Sequence, residues 1–410
     1  MGGHTLTMTM RSLGHEVSVA DAFTEFERVA VPRRRLRARP ITMAGIALLI
    51  AGCNSTSANP TPTEPSSTVY VGATAGGTEP SPKASPSAAL GDFPDFPEAL
   101  LPEPMAASLQ AVLDDQVDLG RFRGVSAAVI VGGAGHWAGA AGTDLEQVDL
   151  TADSPIIIAS IGKTVTAAQI LRLVEEGEIR LGDTAADHFP PEIDGYDANG
   201  ATIRDMLGMR SGIADPANYG AVVDDGASIS KLVEMLSEPI FAPGTNFEYA
   251  NMNYVLLGSI IEHVTGQSLW DVFRSDVLDY PGLDGVQYPV RSALAADGWM
   301  IESDPASLAR WGYELYGRSV LSAASLHTMT DFGDHFYGLG AIDFSDANPA
   351  TDDSGFGEPA IGHVGVDYGV VTFLVAFPRT GEVVSLQTQG DSPGAFTPMI
   401  KDLLAVARDR

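Results

Sequence analysis

Strand-forming sequence lies at two places far apart in this 410-residue chain. Gly124 to Val131 is a run of small and β-branched residues of the length of one buried strand, followed by a Gly-rich turn at Gly132–Gly135. Near the other end, Gly369 to Phe377 and Glu382 to Thr388 are β-rich and are joined by Pro378-Arg379-Thr380-Gly381, the signature of a hairpin with a four-residue loop. A sheet with strands from both ends must bring the ends together, and whatever lies between them becomes an insertion. An antiparallel sheet built from both ends, flanked by helices and carrying an inserted helical lobe, is the α+β solution.

The intervening pattern is helical. Met105 to Val117 places Leu109, Val112 and Leu113 on one side, and His136 to Ala141 reads as the partner of the first strand. A helix from Ser160 to Glu176 has Ala167, Ile170, Leu171 and Val174 as its apolar face, with Gly177 to end it. Shorter helices are expected over Thr202–Met209, Ser228–Leu236, Tyr254–Val264 and Pro305–Leu315, and a last one over Pro398–Val406. Asn218 to Ala227 reads as loop, and Ser268-Leu269-Trp270-Asp271 as a capping box opening a helix.

The first 95 residues have a different character. Arg33, Arg34, Arg35, Arg37 and Arg39 precede a short apolar run, Ile41 to Ile50, which is too short to span a bilayer as a helix. Ile50-Ala51-Gly52-Cys53 follows and resembles a bacterial lipobox. That resemblance implies cleavage before Cys53, lipid on its sulfur, and an extracytoplasmic protein anchored to the bacterial cell membrane. Cys53 is the single cysteine, so no internal disulfide or cysteine-based metal site is available. Residues 1–52 are therefore expected to be a signal region. Its acidic Glu16, Asp21, Glu25 and Glu27 suit a translation start later than Met1, at Val29, Val31 or Met43. Residues 53–95, rich in Ser, Thr, Pro, Ala and Gly, are expected to be a disordered tether, and 96–410 the folded domain. Seven of the 24 basic residues but only four of the 53 acidic ones lie in the first 52 positions, which leaves 17 basic against 49 acidic beyond them. A chain so acidic excludes nucleic acid as a partner.

Two Ser-x-x-Lys patterns occur, Ser160…Lys163 and Ser228…Lys231. Residues three apart share a helix face, so hydroxyl and amine can meet, and an amine held neutral can take the proton that keeps serine a poor nucleophile. What separates the two is company. Glu248-Tyr249-Ala250-Asn251 and then Gly362-His363-Val364-Gly365 follow downstream, with Tyr249 lying 89 positions after Ser160 but only 21 after Ser228.

With these motifs the chain resembles the serine β-lactamase-related family, which includes class C β-lactamases, DD-carboxypeptidases and some esterases. Its pattern is S-x-x-K, then Y-x-N, then a K-T-G or H-x-G strand. Thr202-Ile203-Arg204-Asp205-Met206-Leu207, Ser211-Gly212-Ile213, Ala242-Pro243-Gly244-Thr245 and Tyr337-Gly338-Leu339-Gly340 extend the likeness over about residues 97–405. The resemblance implies a β-lactamase/DD-peptidase-like fold and an acyl-enzyme on Ser160, with Lys163 and Tyr249 as the other catalytic groups. A phenol titrates near ~10, and a cation such as Lys163 lowers that value and lets Tyr249 act as a base. Asn251 is expected to hold Lys163 and a substrate carbonyl, and His363 to line the cleft and help bind a carboxylate or acyl group. Gly365 lies beside them on the same strand. The oxyanion hole falls to the backbone N–H groups of Ser160 and Val366, one such donor being worth ~2.7–4 kcal/mol of barrier.

Two departures qualify the substrate. Met209 stands where the family often has histidine, and Val364 where it has threonine or serine, which removes a hydroxyl that helps grip a substrate carboxylate. The leading expectation is a DD-carboxypeptidase-like enzyme on cell-wall peptides. The alternatives are a class C-like β-lactamase, an esterase, and an idle homologue that binds wall peptides or a partner. No cofactor is implied, and the eight histidines show no metal-binding spacing.

Overall fold

The computed structural model describes residues 10–12, 15–17, 90 and 93–409, except 217–226, 289–295, 299–300, 318–319, 349–354, 368 and 391–395. The expected signal region beyond those six residues, Cys53, the tether to residue 89 and nearly all of the 218–227 loop lie outside them. The chain divides into two compact units, Met1–Met43 and Ala44–Arg410. In the first, β1 (Met10–Ser12) pairs antiparallel with β2 (His15–Val17).

The second unit holds a six-stranded antiparallel sheet. Its strands are β3 (Gly124–Val131), β4 (Gly135–Gly142), β7 (Ile342–Asp343), β8 (Ile361–Asp367), β9 (Val370–Phe377) and β10 (Glu382–Gln389). A separate short pair is formed by β5 (Ile156–Ile157) and β6 (Glu302–Ser303). The spatial order of the sheet is β4-β3-β10-β9-β8-β7, so the early strands sit directly beside the last one, as the sequence pattern requires. β3, β9 and β10 are buried along their whole length, because helices cover both faces. Alternation along the strands assigns those faces. Leu374 and Val383 approach Gly312 of α7 (Pro305–Tyr316), and Ser385 donates to the Pro305 carbonyl at 2.6 Å. The intervening Phe373 stacks on Phe396 of α9 (Phe396–Arg408), and Glu382 pairs with Arg408. α1 (Glu103–Asp118) packs beside α9 and against β4.

Between β4 and β7 runs the helical lobe. α2 (Gly162–Glu176) packs on α5 (Asn251–Thr265). Each ends at a glycine in the left-handed region, Gly177 at φ 80° and Gly266 at φ 67°, where a side chain would be strained. α3 (Ile203–Leu207) opens on a reciprocal capping box of Thr202 and Asp205. α4 (Ile229–Glu234) and α6 (Leu269–Val272) open on Ser228 and Ser268, and α8 (Ala323–Met329) on Ser322.

Two details differ from the sequence reading. Ser160 is not the first residue of its helix. It lies in a 3₁₀ turn, Ala159–Ile161, and α2 begins at Gly162. The Gly362–Gly365 motif is only the inner part of a longer strand, β8, which pairs with β9 along its length.

Candidate active site

The turn that carries Ser160 is pinned from three sides. Ala159 has φ +47°, a left-handed conformation uncommon for a residue with a side chain. Ile158 donates its N–H to the Ile301 carbonyl at 2.8 Å and accepts from the Thr372 hydroxyl at 3.0 Å. β8 presses on the turn at Gly365, where a Cβ would lie 2.1 Å from the Ile158 oxygen. The third side is Gly298, where a Cβ would lie 1.9 Å from the Ala159 oxygen. Glycine is needed at both positions because backbone meets backbone there. Ser160 itself remains partly exposed.

One turn along, Lys163 is fully buried. Its Nζ lies 3.0 Å from Ser160 Oγ, 2.8 Å from Asn251 Oδ1 and 2.9 Å from the Asp297 carbonyl oxygen. An ammonium would donate to all three partners; a neutral amine would donate to two and accept from the third. Two rings flank it, with centroids 5.2 Å (Tyr249) and 5.7 Å (Tyr254) from Nζ. The π faces favour a cation in a place otherwise costly for one.

Tyr249 is partly buried, its ring edge-on to Tyr337 at 5.9 Å. The preceding residue, Glu248, donates its N–H to the Met209 carbonyl at 3.0 Å, and Met209 is itself left-handed at φ +57°. The residue that departs from the family pattern thus holds, through its backbone, the segment that delivers the phenol. The structure therefore brings Ser160, Lys163, Tyr249 and Asn251 into one site. Among the described residues no hydrogen bond joins the Tyr249 hydroxyl to Ser160 or Lys163; what places it there is the approach of its ring to Nζ.

His363, expected to line the cleft and help bind a carboxylate or acyl group, is buried and presents no charge there. It is 1% exposed. Nδ1 lies 2.7 Å from the Val364 carbonyl oxygen, which only accepts, so this nitrogen carries the proton. Nε2 then accepts from the Tyr337 hydroxyl at 3.2 Å. Burial, with the Lys163 charge adding to it, pushes the imidazole pKa down to about 3. Both nitrogens are spent, and the ring braces Tyr337 against β8. Gly365 serves the close approach described above, and Val366 follows it on the same strand, partly exposed like Val364.

The second Ser-x-x-Lys pattern has an ordinary explanation. Ser228 caps α4 by accepting from the Lys231 N–H at 3.2 Å, and the Lys231 ammonium pairs with Glu234 at the surface. The sequence reading missed Asp215. This partly buried carboxylate accepts from Asn251 Nδ2 at 3.1 Å and from the Met252 N–H at 2.8 Å. Burial raises its pKa and the Asp297 charge adds to the rise, while the backbone N–H groups of Met252 and Asn251 and the Lys163 charge pull it the other way. It lies 36 positions before Asn251, and no local pattern links the two.

The family model described as Beta-lactamase matches residues 109–408. "Protein flp" of Staphylococcus aureus (strain MW2) is 37% identical over 116 residues, 27% of this chain, and the match spans only 23% of that protein's own length. "Penicillin-binding protein 4" of Amycolatopsis lactamdurans is 27% identical over 298 residues, which covers 63% of this chain and 78% of that one. Among solved structures, a D-stereospecific amidohydrolase from Streptomyces sp. superposes with a TM-score of 0.57 at 23% identity, over 74% of this chain and 98% of its own. A D-amino acid amidase from Ochrobactrum anthropi SV3, complexed with L-phenylalanine amide, gives 0.59 at 20% identity, over 75% and 99%. At those identities the likeness is one of fold.

Proposed function

The chain belongs to the β-lactamase family, and from that premise we propose that it is a serine hydrolase working through an acyl-enzyme on Ser160. One observation carries the reading. Of the three partners of Lys163 Nζ, the Asn251 and Asp297 oxygens can only accept, and Ser160 alone can donate. A neutral amine has two N–H groups and one lone pair. With both N–H groups held by the two oxygens, the lone pair is left facing the serine O–H. Lys163 is thereby oriented as the base that takes the Ser160 proton as oxygen attacks a carbonyl carbon. Tyr249, beside Nζ, is the second proton carrier, delivering a proton to the leaving group and later drawing one from the water that cleaves the acyl-enzyme. The N–H groups of Ser160 and Val366 receive the oxyanion.

The bond attacked is an amide, and the substrate class we favour is the cell-wall peptide, cut in the manner of a DD-carboxypeptidase. The names of the similar proteins, a penicillin-binding protein and two D-specific amide hydrolases, support that class. A second reading rests on a specific observation. A neutral His363 and a Val364 without a hydroxyl leave β8 with neither charge nor donor there for a free carboxylate. This favours an uncharged amide or ester. Cys53 we take as the lipid-bearing residue that holds the enzyme to the outer face of the cell membrane.

The test is to incubate wild type and Ser160→Ala with a fluorescent penicillin, a D-alanyl-D-alanine peptide, a D-amino acid amide and a nitrophenyl ester. A lasting penicillin adduct with peptide cleavage supports the carboxypeptidase. Amide or ester turnover without an adduct supports the second reading, and fast penicillin turnover a β-lactamase. Activity that survives in Ser160→Ala would overturn the proposal.

A further inference from the structure

We propose that Asp215 is a positioning residue for the acylation step, acting through Asn251 to hold the Lys163 amine in line with Ser160. The inference rests on the reading of Ser160 as nucleophile. A side-chain amide has an oxygen and a nitrogen end of nearly the same shape, so something must decide which end faces the lysine. Here the carboxylate decides it. Asp215 Oδ2 can only accept, and it takes Asn251 Nδ2 at 3.1 Å. This leaves Asn251 Oδ1 toward Lys163 at 2.8 Å. Turned over, the amide would aim an N–H at the Lys163 amine, competing with Ser160 for its lone pair, and would set oxygen against carboxylate, losing both bonds. The second carboxylate oxygen fixes the frame. Oδ1 accepts from the Met252 N–H at 2.8 Å, a donor in the first turn of α5, whose own cap residue Ala250 has no polar side chain to offer. One carboxylate thus ties a helix start, an amide and an amine into a single directed chain that ends at Ser160 Oγ.

The direction matters because the Asn251 oxygen is one of the two pure acceptors that leave the amine lone pair to the serine. Asp215→Asn keeps the volume and an acceptor for Met252, but it can set an N–H against Asn251 Nδ2, so the Asn251 amide reverses. Acylation of Ser160, followed by mass spectrometry on whichever substrate the wild type turns over, is expected to slow about 10- to 100-fold, the usual consequence of losing a hydrogen bond to a charged group. The exchange variant Asp215→Asn with Asn251→Asp restores acceptor-to-donor matching along the chain. At its own pH optimum it is expected to regain at least about tenfold of the loss. A purely structural role would lower the melting temperature and leave the acylation rate of the folded protein unchanged. Asp215→Asn that is folded and acylates at the wild-type rate overturns the inference. If the single variant does not fold, the exchange variant carries the test. Folded and within about tenfold of wild type, it supports the inference; unfolded, or as slow as Asn251→Ala, it overturns it. Loss of all activity in Ser160→Ala alongside an unaffected Asp215→Asn leaves the serine mechanism standing and removes only this inference.

Discussion

His363 shows how much a side chain's job depends on what surrounds it. Inside β8 and within the influence of Lys163, an imidazole could supply charge or withhold it. Here the Val364 carbonyl fixes the proton on Nδ1, the Tyr337 hydroxyl fills Nε2, and burial keeps the ring neutral down to about pH 3. The consequence for stability has a definite sign. An unfolded histidine titrates near its ordinary ~6.5, so between that value and about 3 the unfolded chain binds a proton that the folded chain refuses. The contribution of His363 is therefore fully present above pH ~6.5 and is lost as pH falls, by up to about 1.4 kcal/mol per pH unit. Denaturant melts of wild type and His363→Asn are expected to differ most near neutrality and to converge on acidification. A difference that stays constant from neutral to acidic pH would mean that the imidazole is not held neutral. By the same logic, the pH–rate profile in the neutral range carries no limb from this residue.

At the scale of elements, catalysis depends on how closely β8 and the 3₁₀ turn approach. Gly365 is the contact point, and a methyl there would sit 2.1 Å from the Ile158 oxygen and 2.5 Å from Thr372 Oγ1, which itself bonds that oxygen. Gly365→Ala must push the turn and the strand apart. The stability cost should be that of overpacking, about 1–3 kcal/mol. The rate of Ser160 acylation should fall further, by up to about 10²-fold, because a shift of about 1 Å at the nucleophile is enough. Calorimetry and single-turnover acylation separate the two effects, and a wild-type rate in this variant would mean that β8 does not set the position of the serine. The same elements mark where the sequence is legible. β3, β9, β10, α2 and α5 are each long enough for period and end signals to speak, and Ser160, Lys163, Tyr249 and Asn251 could be found because fixed intervals connect them. The left-handed Ala159 and Met209 leave no signal, since neither residue type asks for that conformation. Asp215 and the Asp297 carbonyl are brought to the site only by the packing of the lobe. The environment of His363 comes from Tyr337, 26 positions away, so its residue type could be read but its state could not.

For the whole molecule, the Beta-lactamase match, residues 109–408, lies well downstream of Cys53. From residue 53 onward 49 acidic residues face 17 basic ones. A body so acidic is repelled by the anionic surface of a membrane and gains nothing from headgroup attraction. If the protein is membrane-bound, the hold must therefore be hydrophobic. Acyl chains gain about 0.8 kcal/mol per buried CH₂; one chain binds only marginally, whereas two hold stably. A diacylglyceryl group on Cys53 supplies two. Three outcomes follow in a bacterial host that processes lipoproteins. Wild type sediments with membranes and is not released by high salt, because no ionic contact holds it. Cys53→Ala moves to the soluble fraction with its hydrolase activity intact, since the contacts that build the Ser160 site are made by residues from Ile158 onward. Mass spectrometry of the mature protein finds Cys53 as the first residue, carrying the lipid mass. Release of wild type by salt alone, or a Cys53→Ala variant that still sediments with membranes, would show that the attachment has another source.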